Sequence, residues 1–460
     1  MSRSPDDDHR PARAPAASGT GTASGRTGAS TAARASGTAS GRAGGAPASD
    51  GPGPTTPSRP PRGLLLGPAF VAAIAYVDPG NVAANLTAGA SYGYLLLWVL
   101  VVANGMAVLV QYLSAKLGVV TGESLPELLG RRLRRGRRLA FWGQAEVVAA
   151  ATDVAEVIGG ALALNLLFGV PLVVGGLITG VVSVGLLLLT RYRGGRVFQG
   201  VVVAMLAVLT LGFCAGLLFA PPSAEGVLGG LVPRFEDATS VLLATSMLGA
   251  TVMPHAVYLH SALARDHHGR VAEGPDRRRV LRATRLDVVL SLVVAGGVNV
   301  AMLVLAASTL PGQTGTDSIP GAHAAIQAAL GPVVGVLFAV GLLASGLAST
   351  SIGAMAGAEI MKGLLHVRIP LLVRRVVTIV PAIVLLATGL DPTWLLVLSQ
   401  VVLSFGIAFA IVPLVRATSD PAVMGSARNA LGTRVAAWTA TGVVVALNLV
   451  LVGLTVTGQA

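Results

Sequence analysis

Two short runs hold the residues with the most distinctive chemistry. The first, AYVDPGNVAANLTAG, sets Asp78, Pro79, Gly80 and Asn81 in the middle of an apolar stretch. A carboxylate inside a bilayer is costly unless it is paired or lines a cavity, so this position implies compensation. Pro79 removes a backbone donor and Gly80 relaxes the chain. Together they predict an unwound helix that offers carbonyl oxygens beside the Asp78 carboxylate and the Asn81 amide. Acceptors of this kind suit a cation. The competing reading is a proline kink in which Asp78 and Asn81 only satisfy the freed backbone groups.

The second run, SMLGATVMPHAVYLHSAL, is interrupted at Pro254, with Met253 and His255 on either side of the break. A soft thioether beside a carboxylate and an amide favours Mn, Fe, Co or similar ions over Mg and Ca, which take all-oxygen shells. Met253 is then the selectivity element, against the ordinary reading of a packing methionine. His255 has three readings: ligand, structural donor, or proton-handling group. The last is preferred because imidazole titrates near neutral pH.

These residues need a membrane scaffold to position them. Hydrophobic residues make up 53% of the 460 residues and charged ones only 12%, which is too apolar for an ordinary soluble surface. The apolar residues come in blocks of about 20, long enough to cross a hydrocarbon core of ~30 Å. Eleven spans are expected: 64–90, 94–117, 141–168, 171–190, 196–219, 238–263, 285–309, 329–364, 371–389, 394–415 and 434–457. The breaks fall in the first and sixth spans, the signature of a five-span repeat with its binding site near the bilayer midplane. Residues 1–62 are rich in Ala, Gly, Ser, Thr and Pro without large apolar side chains, which predicts a disordered tail with no secretory-signal centre. Residues 63–460 form the transporter domain.

Placing the tail in the cytoplasm puts 23 of the 33 Lys and Arg in cytoplasmic loops and adjoining helix ends, including RRLRRGRR at 131–138 and the run 265–285. Eight more lie in the tail, Lys116 lies in a span, and Arg234 alone faces out. This is the positive-inside pattern, and an odd number of spans leaves the C-terminus outside. The formal charge of +12 is therefore explained by topology rather than by nucleic acid. The single Cys214 excludes an internal disulfide, and no GxxxxGK[ST] run is present to use ATP, so gradients are the expected driving force.

DPGN in the first span and MPHAVYLHSAL in the sixth resemble the motifs of Nramp-type metal transporters. The likeness extends to LLLWVLVVANGMAVLVQYLSAKLGVVTGESLPE, TDVAEVIGGALAL and SQVVLSFGIAFAIVPL, and covers about residues 64–457. The resemblance implies an all-α, leucine-transporter-like fold: inverted five-helix repeats at about 64–219 and 238–415, plus an eleventh helix at 434–457. It also implies metal–proton symport by alternating access. Its metal ligands would be Asp78, Asn81 and Met253, with carbonyls of Ala250 and, in some conformations, Ala75. The Gln400 amide would join as the site closes. Its proton route would run from Asp78 to Asp153 and Glu156, with Arg374 and Arg375 as counter-ions. Asp153 and Glu156 share a helix face, and Glu146 lies two turns away, a carboxylate line that suits either a relay or an architectural ion-pair cluster. The sequence departs from the family pattern in AGAEIMKGL, where a glutamine commonly follows AG, and at Val82, where an aromatic is usual. These departures bear on proton coupling or gating at Glu359 and on the pore at Val82.

The expected activity is therefore import of Mn(II), Fe(II) or similar ions with protons across the plasma membrane. The partners are metal, protons and lipid, with no ATP, nucleic acid, resident cofactor, required protein partner or enzymatic step. The rivals are a Mg importer, which the Met253 thioether argues against; an organic-substrate symporter, whose carboxylate Asp78 would repel; and a metal sensor or passive channel. His267 and His268 read as a solvated loop pair rather than an exit site. Asn104 and Asn299 either bond between helices or touch the permeation path.

Overall fold

The computed structural model describes residues 67–458 except 194, 312–314 and 368–369. The expected tail at 1–62 lies outside the described residues. Within them the chain is helical throughout, and the pattern follows from the breaks and caps.

The first apolar run is split. Helix α1 (Pro68–Ala73) tightens into a 3-10 turn at Ile74–Val77, Asp78 is extended, and α2 (Pro79–Tyr92) restarts with Asp78 as its N-cap. Proline at the first position of a helix loses nothing, because that N–H has no intrahelical partner. Helix α3 (Leu97–Thr121) ends at Gly122 in the left-handed region (φ 71°). The short α4 (Leu125–Arg132) opens with a Ser124–Glu127 capping box, and α5 (Arg135–Phe168) follows, then α6 (Leu172–Arg193), α7 (Gly195–Phe219) and α8 (Ala224–Gly230).

The second half begins with another broken helix. α9 (Ala238–Thr251), capped by Asp237, stops at Val252, and α10 (Pro254–His268) restarts with Met253 as its N-cap. Then come α11 (Pro275–Thr309), α12 (Ile319–Leu330), α13 (Pro332–Leu365), α14 (Leu371–Ala387), α15 (Pro392–Ser419), the single turn α16 (Pro421–Met424) and α17 (Leu431–Val456).

Among the described residues, seven helices are long and apolar enough to cross a membrane when α9 and α10 are taken as one: Leu97–Thr121, Arg135–Phe168, Ala238–His268, Pro275–Thr309, Pro332–Leu365, Pro392–Ser419 and Leu431–Val456. The sequence led us to expect eleven. The break at Asp78 shortens the first run, and α14 has only 17 residues. Shorter apolar helices occur at Pro68–Val77, Leu172–Leu186 and Val203–Phe219.

Two segments expected as loops are largely helical. Much of 131–138 belongs to the ends of α4 and α5, and much of 265–285 to α10 and α11. Their charges mask helices to a reading based on apolar periodicity. The centre of the molecule is a stack of α5 on α13, with α2 against α11 and α10 against α3. Val and Leu side chains on α6, α14 and α17 remain exposed on the outer face, as in a protein that meets lipid rather than water.

Candidate functional site

The two helix breaks meet at the centre. Asn81 donates its backbone N–H (2.8 Å) and its Nδ2 (2.9 Å) to Asp78 Oδ1. The same Nδ2 donates to the Ala250 carbonyl in the last turn of α9 at 2.9 Å. From α15, Gln400 Nε2 donates to Asp78 Oδ2 at 3.2 Å. Asp78, Asn81, Ala250 and Gln400 thus form one buried cluster. Its donors are all neutral.

Close backbone approach makes this convergence possible. A Cβ at Gly80 would overlap the Gln400 amide, one at Gly249 would strike the Gln400 carbonyl, and one at Gly159 of α5 would strike the Pro79 ring. Freed carbonyls at the first break are capped from other helices. Asn299 Nδ2 of α11 donates to Tyr76 O at 2.8 Å, and Ser345 Oγ of α13 donates to Val77 O at 2.6 Å. Asn299 also accepts from Asn85 Nδ2 at 3.2 Å, so it bonds between helices. Asn104 packs against Gly296.

Two oxygens in the cluster, Asn81 Oδ1 and Gln400 Oε1, are buried and accept no hydrogen bond. Orphaned acceptors beside a carboxylate are costly unless something positive meets them. Met253 is buried at the second break, three residues after Ala250, and Ala75 is buried in the 3-10 turn, three residues before Asp78. Among the described residues no three His, Cys, Asp or Glu side chains converge as a conventional metal cluster. The chemistry available here is one carboxylate with amide and carbonyl oxygens and a nearby thioether.

A second polar group lies along α5. Arg375 Nη1 of α14 is 2.8 Å from Asp153 Oδ1 and 3.9 Å from Glu156 Oε2. Its Nε donates to Ser183 Oγ (2.8 Å) and its Nη2 to Thr350 Oγ1 (3.3 Å). Neither Glu156 oxygen has a hydrogen-bond partner. Arg374 pairs instead with Glu146, at 3.1 Å, so the two arginines serve different acids, a division the sequence did not reveal. Glu156 and Gly159 are three residues apart, which puts Glu156 one turn from the Pro79 contact and between the two clusters. His255 meets no carboxylate. Its Nδ1 lies 3.3 Å from Thr152 Oγ1, next to Asp153 in the chain.

Sequence reasoning missed Ser345, Ser183, Thr152, Gly159 and Gly249. A polar or small residue within an apolar span was the only signal, and such residues are common in membrane helices.

Comparison with known proteins places this arrangement. The natural resistance-associated macrophage protein-like family profile matches residues 69–454. The divalent metal cation transporter MntH of Mycobacterium tuberculosis (strain H37Rv) is 61% identical over 394 residues, covering 86% of this chain and 92% of its own. The crystal structure of the Eremococcus coleocola manganese transporter, in complex with an aromatic bis-isothiourea substituted compound, is 31% identical with a TM-score of 0.75, covering 84% of this chain and 85% of that one. MhsT in complex with L-phenylalanine, 13% identical with a TM-score of 0.56 over 84% of this chain and 97% of its own, shares the fold alone. The molecule is an all-α, multi-span membrane protein of leucine-transporter-like fold, and its chain belongs to the natural resistance-associated macrophage protein-like (Nramp) family.

Proposed function

We propose that this protein carries divalent transition metal ions, Mn(II) and Fe(II) among them, into the cell together with protons. The observation that carries the reading is the pair of orphaned oxygens, Asn81 Oδ1 and Gln400 Oε1, beside the buried Asp78 carboxylate. With the Ala250 carbonyl and the Met253 thioether they make a mixed oxygen and sulfur set, which suits a borderline ion better than Mg or Ca. Ala75 would add its carbonyl as the 3-10 turn rearranges. The M. tuberculosis relative, a divalent metal cation transporter, and the E. coleocola manganese transporter point the same way.

Protons take the other cluster. Asp78 exchanges its proton with Glu156, which is free of hydrogen bonds, and Arg375 holds Asp153 as a fixed counter-charge. Glu146 and Arg374 form the outer end of the line, and His255 reports to it through Thr152.

In this reading the chain crosses the plasma membrane eleven times. The broken pairs α1–α2 and α9–α10 count as one span each, joined by α3, α5, α6, α7, α11, α13, α14, α15 and α17. Residues 64–219 and 238–415 are the inverted repeats. Reciprocal packing supports this: the second half of each broken helix lies on the second span of the other repeat, α2 on α11 and α10 on α3. The basic ends of α4, α5, α10 and α11 face the cytoplasm with the N-terminus, and the C-terminus faces out.

Mn(II) uptake into proteoliposomes under an imposed pH gradient tests the reading. Uptake driven by acid on the outside and indifferent to excess Mg is the expected result. Mg transport, or binding without flux, would overturn it.

A further inference from the structure

The cytoplasmic ends of three helices are joined by a square of charges that plays no part in the metal or proton sites. Arg265, near the end of α10, contacts Glu127 of α4 at 2.5 Å and Glu359 of α13 at 3.5 Å. Lys362 of α13 contacts the same two carboxylates, at 3.4 Å and 3.2 Å. Each acid therefore meets both cations, and the four charges cancel. Arg265 is only 12% exposed and Glu359 19%, so water screens these pairs less than ordinary surface pairs. Arg265 also contacts the exposed Asp266 at 2.7 Å. Two members of the square lie in the AGAEIMKGL run that departs from the family pattern.

Of the helices it joins, α4 packs on α13, and α10 packs on α13 as well as on α3. α3 and α10 touch backbone to backbone where Gly118 meets the Ser261 carbonyl, and Ser114 Oγ donates to Val257 O at 2.6 Å. α4 and α13 touch where Gly130 meets the Gly363 carbonyl and Gly363 meets Pro126. Such approaches leave no room for sliding. Between α4 and α10, by contrast, the polar ties are the Leu125 N–H to Ser261 Oγ bond (2.9 Å) and the charges. The chain linking α3 to α4 passes through Gly122 in the left-handed region, where a single residue can absorb rotation.

We propose that Arg265, Glu127, Glu359 and Lys362 are a latch that positions α10, and with it Met253 and His255, against the α4–α13 pair. Opening this latch is a step in release of metal to the cytoplasm. The proposal rests on the orientation given under Proposed function. The four residues are positioning residues: they act on the site through α10.

The test uses Ser351→Cys as a reporter in a Cys214→Ser chain, which then holds no other thiol. Ser351 is buried on α13, two turns inward from Glu359. A membrane-impermeant thiol reagent is added to the cytoplasmic side of oriented vesicles. With the latch intact labelling is slow. Glu359→Gln, close in shape but one charge short, should label about fivefold faster, and Arg265→Glu faster still. The full swap Arg265→Glu/Glu127→Arg/Glu359→Arg/Lys362→Glu keeps every edge of the square oppositely charged and should return labelling to within about twofold of the parent. The solubilised variants should still bind Mn(II), which separates opening from unfolding. Equal labelling in the parent and Glu359→Gln, or no return in the swap, would overturn the latch. Absence of Mn(II) uptake by the unmodified chain would count against the proposed function while leaving the labelling result to stand or fall alone.

Discussion

Asp78 and Asp153 are both buried acids in the middle of the molecule, yet they are held in opposite ways. Asp78 is surrounded by neutral donors, the Asn81 backbone and amide and the Gln400 amide. Asp153 is fixed 2.8 Å from the Arg375 guanidinium, which Ser183 and Thr350 hold in turn. A permanent cation commits its partner, whereas neutral donors orient a carboxylate and leave its charge to be met by a mobile cation. In the proposed function, exchange then belongs to the helix breaks and architecture to the α5–α14 contact. Glu156 stands between them, at 3.9 Å from the arginine and without a hydrogen bond.

The largest expected effect breaks the exchanging side. Loss of a group that merely supports a metal ligand costs about 10–100-fold, so Asp78→Ala, which deletes a proposed ligand, should cut Mn(II) uptake by more than that while the protein still folds. Retained uptake would remove Asp78 from the site. Next is the architectural side. Arg375→Leu strands Asp153 among apolar groups and should cost about 3–5 kcal/mol in denaturation, whereas the pair Arg375→Leu/Asp153→Leu should recover most of that. If the single change were as mild as a surface mutation, Arg375 would not be the counter-charge argued here.

Two smaller effects sharpen the contrast. Met253→Ala should keep Mn(II) uptake but let Ca(II) compete at about tenfold lower concentration, and unchanged selectivity would refute the thioether argument. At the latch, burial pushes the Glu127 carboxyl up, but the Ser124 backbone N–H and the Arg265 guanidinium outweigh it and hold it below the usual carboxylate range. Because the folded value is depressed, its stabilisation is present above the unfolded value of 4.5 and is lost as pH falls below that. Thermal unfolding measured downward from neutral pH should show this loss in the parent and not in Glu127→Gln.

The helix breaks were legible because Pro79 and Pro254 interrupt runs that would otherwise continue, and because an acid in an apolar segment has few innocent explanations. Gln400 was reached only through family resemblance, since a lone amide in an apolar helix gives no hint of the helix it faces. Ser345, Asn299 and Ser183 act through contacts made across the sequence, which periodicity cannot show. The division of Arg374 and Arg375 between different acids escaped for the same reason: adjacent residues on a helix point about 100° apart, and only packing says toward what. Apolar periodicity does not reveal α4, because half of its short length is charged or glycine.

The meeting of Gly80 with the Gln400 amide restricts how this protein can change over generations. A side chain at position 80 has nowhere to go while residue 400 keeps its length, and position 249 is bound to the same stretch of α15 by its backbone. These three positions are therefore sterically coupled. Drift at residue 80 would have to be preceded by shortening at residue 400, so lineages that altered the amide should be the ones in which the glycine was released.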